Sequence, residues 1–175
     1  IAALQLTDMS DTELNECWRL IQGIFNEKKL IGHNFKYDEF KLRLAGFKNI
    51  NLKSDTLIKL RVIFPELPEK KLSTAASLWT REPYYKDEGK EFKLGKSPIN
   101  QLFKYNAKDC AVDFEVDEEL DIDLDNLAEK YNVPLRSYYY DYMMKKHKFY
   151  LEMENNGFSV DYQKKRELSS RYLAL

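Results

Sequence analysis

The chain has 175 residues, a formal net charge of −1, and 43% hydrophobic and 14% aromatic residues. This length suits one domain, or one domain with an appendage, and the hydrophobic fraction excludes a disordered chain. No run of about 18 apolar residues occurs, so the sequence predicts no membrane-spanning helix. Cys17 and Cys110 lack the spacing of metal ligands, and we interpret both as reduced thiols in the cytoplasm.

The near-neutral charge conceals an acidic segment. Residues 101–130 contain ten acidic and three basic residues, whereas residues 1–100 contain 14 acidic and 17 basic ones. Residues 131–175 contain five acidic and eight basic residues. An acidic block between basic flanks favours a nuclease with a metal site over a uniformly basic DNA clamp. The alternative is a solvated acidic helix face.

The first half of the chain is predicted to alternate short strands with helices. Ser10 and Glu13 have the spacing of a capping box, which predicts a helix from there to about Lys28. Gly46 is predicted to end a later helix. The elements expected here are strands at 1–6 and 30–32, a strand or loop reaching Asp55, and helices at 35–45, 56–64 and 72–80.

The second half is predicted to be almost entirely helical after a polar loop at residues 81–96. Ser97 and Pro98 form a favoured helix start, a hydroxyl cap followed by proline. The helices expected here cover residues 97–120, 124–131 and 134–155, and a last helix is capped by Asp161. Short strands mixed with many helices predict the α/β class.

One stretch with chemical potential is residues 33–38, which read HNFKYD. Asn34 and Asp38 are four residues apart at a helix start and therefore share one face. A carboxylate such as Asp38 can bind a hard divalent cation like Mg²⁺. The ring of Tyr37 can stack on a terminal base of a single strand. The alternative is an ordinary helix start with no ligand.

A second stretch pairs a phenol with a carboxylate. Tyr105 and Asp109 are also four residues apart on one predicted helix. Asp109 can be a second metal ligand, and the phenol can orient or deprotonate an attacking water. Two metal ions between such carboxylates would activate that water and stabilise the leaving oxygen of a phosphodiester. The alternative is that Tyr105 packs and Asp109 faces solvent.

Taken in order, these stretches resemble a known family. Residues 33–38 resemble the Asn-X3-Asp motif of the 3'–5' proofreading exonucleases of A-family DNA polymerases. Tyr105 and Asp109, about 70 residues later, resemble the Tyr-X3-Asp motif that marks their DEDDy subclass. Residues 153–161, MENNGFSVD, look like the segment that follows this domain and leads into the helical thumb. RNase D-type enzymes share the nuclease motifs but not this continuation, and residues 81–86 are similar to phage-type members.

The resemblance implies a ribonuclease H-like exonuclease domain over residues 1–130 and the start of the polymerase thumb over residues 131–175. Asp38 and Asp109 would be the catalytic, metal-binding carboxylates for Mg²⁺ or Mn²⁺, and Tyr105 the catalytic phenol. Asn34 and Tyr37 would contact the 3' end of single-stranded DNA. Expected partners are a primer-template and the rest of the polymerase chain, with no membrane, in the cytoplasm of a bacterial or phage-infected cell.

The family's opening Asp-X-Glu motif has no clear counterpart. The triplet at residues 11–13 has the right letters but fits the capping box that starts the first helix. We therefore expect the first strands of the domain to be missing and the two remaining carboxylates to bind metal weakly. The alternatives are a degenerate domain that binds DNA or shapes the polymerase without hydrolysis, and an RNase D-like RNA exonuclease.

Other polar and aromatic groups are expected to be structural. His33 adjoins the first motif, but the family uses carboxylates as ligands, and Asp55 matches a family position that supports structure. The tyrosines at positions 138, 139, 140 and 142 are expected to pack rather than to stack on bases. The basic residues of the last 31 positions either contact duplex DNA or keep the surface solvated, and the sequence leaves both interpretations open.

Overall fold

The computed structural model describes residues 9–83, 85, 87 and 97–173. In this part of the chain the fold is mixed α/β and mostly helical, with a two-stranded parallel sheet. The predicted α/β class is therefore confirmed. The predicted strand at residues 1–6 and most of the predicted loop at 81–96 lie outside the described residues.

The described elements follow the predicted order closely. Strand β1 (Leu30–Gly32) pairs in parallel with β2 (Leu52–Asp55). A π-helical turn spans Tyr138–Met143. The helices are α1 (Asp11–Glu27), α2 (Lys36–Leu44), α3 (Thr56–Ile63), α4 (Leu72–Trp79), α5 (Ile99–Tyr131), α6 (Leu135–Ser137), α7 (Met144–Asn156) and α8 (Tyr162–Leu173). None of these described helices combines the length and apolar character that crossing a membrane requires.

Helix α1 begins at the capping box that the sequence predicts. The Glu13 N–H donates to Ser10 Oγ at 3.4 Å, and Glu13 Oε2 accepts from the Ser10 N–H at 2.9 Å. The other face of α1 packs through Phe25, whose ring stands edge-on to that of Phe47 at 5.2 Å. Ser10 and Glu13 therefore each accept from the other's backbone N–H at the helix start, as the capping-box interpretation predicted.

Helix α5 is one continuous helix of 33 residues, so the prediction of two helices, 97–120 and 124–131, was wrong. Leu120 and Leu124 are both fully buried and lie one helical turn apart. Their packing against the core stabilises the helical conformation of the acidic residues between them. The helix starts after Pro98 and ends at Asn132, which adopts the left-handed conformation typical of a C-terminal cap.

The core lies between the sheet, α3, α4, α5 and the C-terminal helical segment. Leu60 of α3 and Val116 of α5 are fully buried at its centre, and Tyr139 and Met144 from the C-terminal segment belong to the same buried cluster. The segment of residues 135–156 thus packs directly on the residues that surround the sheet. This places α7 against α2, the helix that follows residues 33–35.

Tyr139 of the π-helical turn is fully buried and bonded to β2. Its hydroxyl accepts from the Asp55 N–H at 2.9 Å, donates to the Asp55 carbonyl at 3.0 Å and lies 2.8 Å from Ser54 Oγ. Tyr139 packs as predicted, whereas Tyr138 and Tyr142 stack on each other and stay about half exposed. The phenol therefore ties the C-terminal segment to the end of the sheet.

Replacing Tyr139 by phenylalanine should lower the free energy of unfolding by about 1–3 kcal/mol, because the buried Asp55 N–H then loses its partner. Urea denaturation of the variant and the wild type measures this difference. Tyr138→Phe removes a hydroxyl from a half-exposed ring and serves as the control. Equal stability of the Tyr139 variant and the control would contradict the role assigned to this hydroxyl.

Candidate active site

An acidic cleft of about 750 Å³ lies beside β1 and between α2 and α5. The residues of β1 line it, together with Asp38 and Lys41 of α2 and with Asp109 and Asp113 of α5. Lys29, just before β1, also lines it. Asp38 and Asp109 are far apart in the chain, and the fold brings both of them to the lining of one cavity. We call this cavity the acidic cleft.

The start of α2 is set by Asp55 at the end of β2. Its carboxylate accepts from the Asn34 N–H at 3.1 Å and the Phe35 N–H at 2.8 Å. The same carboxylate caps α3 by accepting from the Leu57 and Ile58 N–H groups at 3.0 and 3.2 Å. The predicted structural role of Asp55 is confirmed, because its side chain accepts hydrogen bonds from backbone N–H groups at the starts of both α2 and α3.

Asn34 occupies a backbone turn beside the cleft. Its φ of 58° is in the left-handed region, which asparagine tolerates better than most residues. Its side chain lines two neighbouring cavities, one of about 690 Å³ with Arg61 and one of about 220 Å³ with His147. Tyr37 is 62% exposed, and the Lys41 amine lies 5.3 Å from its ring centre. Among the described residues that line the acidic cleft, neither Asn34 nor Tyr37 occurs.

Asp38 and Asp109 have different surroundings. Desolvation raises the pKa of the Asp38 carboxyl, and the negative charge of nearby Asp55 raises it further. Asp109 is half-buried and accepts a hydrogen bond at 2.7 Å from the hydroxyl of Tyr85. Tyr105, the phenol predicted at this site, packs against the core with its ring centre 6.0 Å from that of Tyr85. The sequence did not indicate Tyr85 as a site residue, because residues 81–96 have no helical periodicity. The only signal in the sequence is an aromatic residue within a polar stretch.

Asp113 is a third carboxylate of the cleft that the sequence analysis did not single out. It is buried and accepts from Thr56 Oγ1 at 2.6 Å, and Thr56 Oγ1 lies 2.9 Å from His33 Nδ1. The pKa of Asp113 is raised to about 6 in total. Burial is the largest cause, and the negative charges of Asp55, Asp117 and Asp109 contribute to the same rise. The sequence signal that could have identified Asp113 is its position, one helical turn after Asp109 on the same helix face.

The donor set of the cleft is limited. In the part of the chain that the structure describes, no group of three or more His, Cys, Asp or Glu side chains could hold a metal ion. Asp38 and Asp109 do offer carboxylate oxygens, the donors that Mg²⁺ and Mn²⁺ take, from two walls of one cavity. Carboxylate oxygens are suitable ligands for a hard divalent cation. Because only these two carboxylates are considered, we expect weak binding.

Helix α7 is attached to α2 by polar side-chain contacts. Glu39, which is buried, lies 3.1 Å from His147 Nε2 and 2.6 Å from the Arg43 guanidinium. Lys36 and Glu154 form a second pair at 2.6 Å. Desolvation raises the pKa of Glu39, but its bonds to His147 and Arg43 outweigh this, and the net shift is downward. The helix that carries Asp38 is thus held from behind by the C-terminal segment.

Fold and site together define a mixed α/β protein with an acidic cleft beside a parallel strand. Comparison of the chain with protein-family models, curated proteins and solved structures gave no match in any of the three.

Proposed function

We propose that this chain is the 3'–5' exonuclease portion of an A-family DNA polymerase of the phage type, continued by the start of the thumb. The observation that carries the proposal is that Asp38 and Asp109 line the same cleft. Both residues come from motifs that resemble those of this family, and their order and spacing resemble the family's too.

The proposed fold is a ribonuclease H-like exonuclease fold. Strands β1 and β2 are parallel and connected through α2, as parallel pairing requires a crossover connection. These features support the proposal at the level of local topology around the site.

The proposed reaction is hydrolysis of the terminal phosphodiester at the 3' end of single-stranded DNA. Asp38 and Asp109 would hold Mg²⁺ or Mn²⁺, which when bound activates a water and stabilises the leaving oxygen. Tyr105 would orient the water, the exposed ring of Tyr37 would stack on the terminal base and Asn34 would hydrogen-bond the strand. The partners would be a primer-template and the rest of the polymerase.

A second candidate function is a degenerate domain that binds DNA without cutting it. It is favoured by one observation, that the described residues hold no group of three metal ligands. Cationic side chains in the cavity next to the acidic cleft, Arg61 and Lys71, would then contact the phosphate backbone, with an affinity that falls steeply with salt.

The test is a degradation assay with 5'-labelled single-stranded DNA and Mg²⁺ or Mn²⁺. We expect shortening from the 3' end, and we expect Asp109→Asn and Asp38→Asn each to slow it at least about tenfold, because each removes a proposed metal ligand. Asp141→Asn makes the same chemical change at an exposed position of the π-helical turn and is the control.

Two results would decide against hydrolysis at this cleft. Shortening that both cleft variants retain at the wild-type rate would place the activity elsewhere. Salt-sensitive DNA binding without shortening, unchanged by added metal, would favour the second candidate. Faster degradation of RNA than of DNA would instead favour an RNase D-like enzyme.

A further inference from the structure

Tyr85 places a second phenol at the acidic cleft. Its hydroxyl donates to Asp109 Oδ1 at 2.7 Å, although 24 residues separate the two in the chain. Only 4% of the Tyr85 side chain is exposed, in a segment whose composition predicts a polar surface loop. A buried tyrosine of this kind usually directs its hydroxyl to one specific partner. Here that partner is a carboxylate of the proposed site.

The ring of Tyr85 is held from more than one side. It belongs to the buried cluster that contains Ala75, Ala76 and Val112. The ring of Tyr105 lies 6.0 Å away at an angle of 58°, and the Lys108 amine lies 4.9 Å from the Tyr85 ring centre. Because these contacts fix the ring, they also fix the position of the hydroxyl oxygen beside Asp109.

A hydrogen bond of this kind restricts rotation of the carboxylate. Oδ1 of Asp109 is bound to a donor whose own position is set by core packing, so the carboxylate is oriented before any cation arrives. Partners that hydrogen-bond a ligating carboxylate usually contribute about 10–100-fold to metal affinity.

We propose that Tyr85 is a positioning residue for Asp109, holding its carboxylate in the orientation that receives a divalent cation in the acidic cleft. This inference rests on the proposed function, because it requires Asp109 to bind the cation. It gives Tyr85 a role distinct from that of Tyr105, which would act on the attacking water. Tyr85 touches the carboxylate and acts through it.

The experiment measures binding of Mn²⁺ alone to the whole chain, by the electron paramagnetic resonance signal of free Mn²⁺. Tyr85→Phe removes only the hydroxyl, and we expect it to raise the Kd for Mn²⁺ about tenfold. Tyr131→Phe, which changes an exposed phenol on α5, should leave the Kd unchanged. The Tyr85 substitution should have no further effect when Asp109 is already asparagine.

The controls separate failure of this inference from failure of the proposed function. If Asp109→Asn weakens Mn²⁺ binding but Tyr85→Phe does not, the positioning role is wrong and the proposed site stands. If the wild-type chain binds no Mn²⁺, or Asp109→Asn leaves binding unchanged, the proposed metal site and this inference both fall.

A measurement on the wild-type chain covers the case in which Tyr85→Phe does not fold. With ¹³C-labelled tyrosine, Mg²⁺ should shift the ring signal of Tyr85 with the same midpoint as binding, and should leave that of exposed Tyr131 in place. A phenol that is not coupled to the cation-binding carboxylate would show no such shift. Absence of the Tyr85 shift at saturating Mg²⁺ would overturn the inference.

Discussion

Lys59→Met is expected to lower the free energy of unfolding by about 3–5 kcal/mol. Lys59 is fully buried, and its amine lies 2.5 Å from Asp117 Oδ1 and 2.9 Å from Asp121 Oδ1. Methionine keeps the length of the side chain but leaves the buried Asp117 without its cation. Removing one partner of a buried ion pair costs about this much, because the remaining charge stays desolvated.

Chemical denaturation of the variant and the wild type measures this loss. Lys53→Met is the matched control, because Lys53 lies in the neighbouring strand β2 with an exposed side chain, where such a change costs about 0.5 kcal/mol or less. A Lys59 variant as stable as the Lys53 variant would show that the pair is not needed to join α3 to α5.

Asp113→Asn is expected to change the pH dependence of stability by about 2–3 kcal/mol between pH 4 and pH 7. Burial raises the pKa of Asp113 from 3.8 to about 6 in the folded protein. The folded state binds the proton of Asp113 more tightly than the unfolded state does. Below pH 4 the ionisation of Asp113 therefore does not lower the free energy of unfolding. Between pH 4 and pH 6 it lowers this free energy progressively. Each pKa unit corresponds to about 1.4 kcal/mol.

Asparagine cannot ionise and can still accept the hydrogen bond from Thr56 through its amide oxygen. The variant should therefore gain stability relative to the wild type as the pH rises through this window, and the gain should level off above about pH 6. Urea denaturation at several pH values, with EDTA present, measures the difference. Asp141→Asn, at an exposed position, should show no such trend. A difference that stays constant from pH 4 to 7 would contradict the raised pKa.

The amino-acid sequence by itself determined where most elements begin and end, because those signals are local. The capping box at Ser10 starts α1, Gly46 with its φ of 93° follows α2, and Asp161 accepts from the Lys164 N–H at the start of α8. Each signal acts within one helical turn, so it can be read without the rest of the molecule. The predicted α/β class follows from these elements and their order.

Only the tertiary structure decided which side chains share an environment. The continuity of α5 through residues 121–123 depends on Leu120 and Leu124 packing into a core that other elements build. The contacts of Tyr85 with Asp109 and of Tyr139 with Asp55 connect residues that are 24 and 84 positions apart in the sequence. Local propensity carries no information about such pairs, because their burial is set by the packing of distant elements.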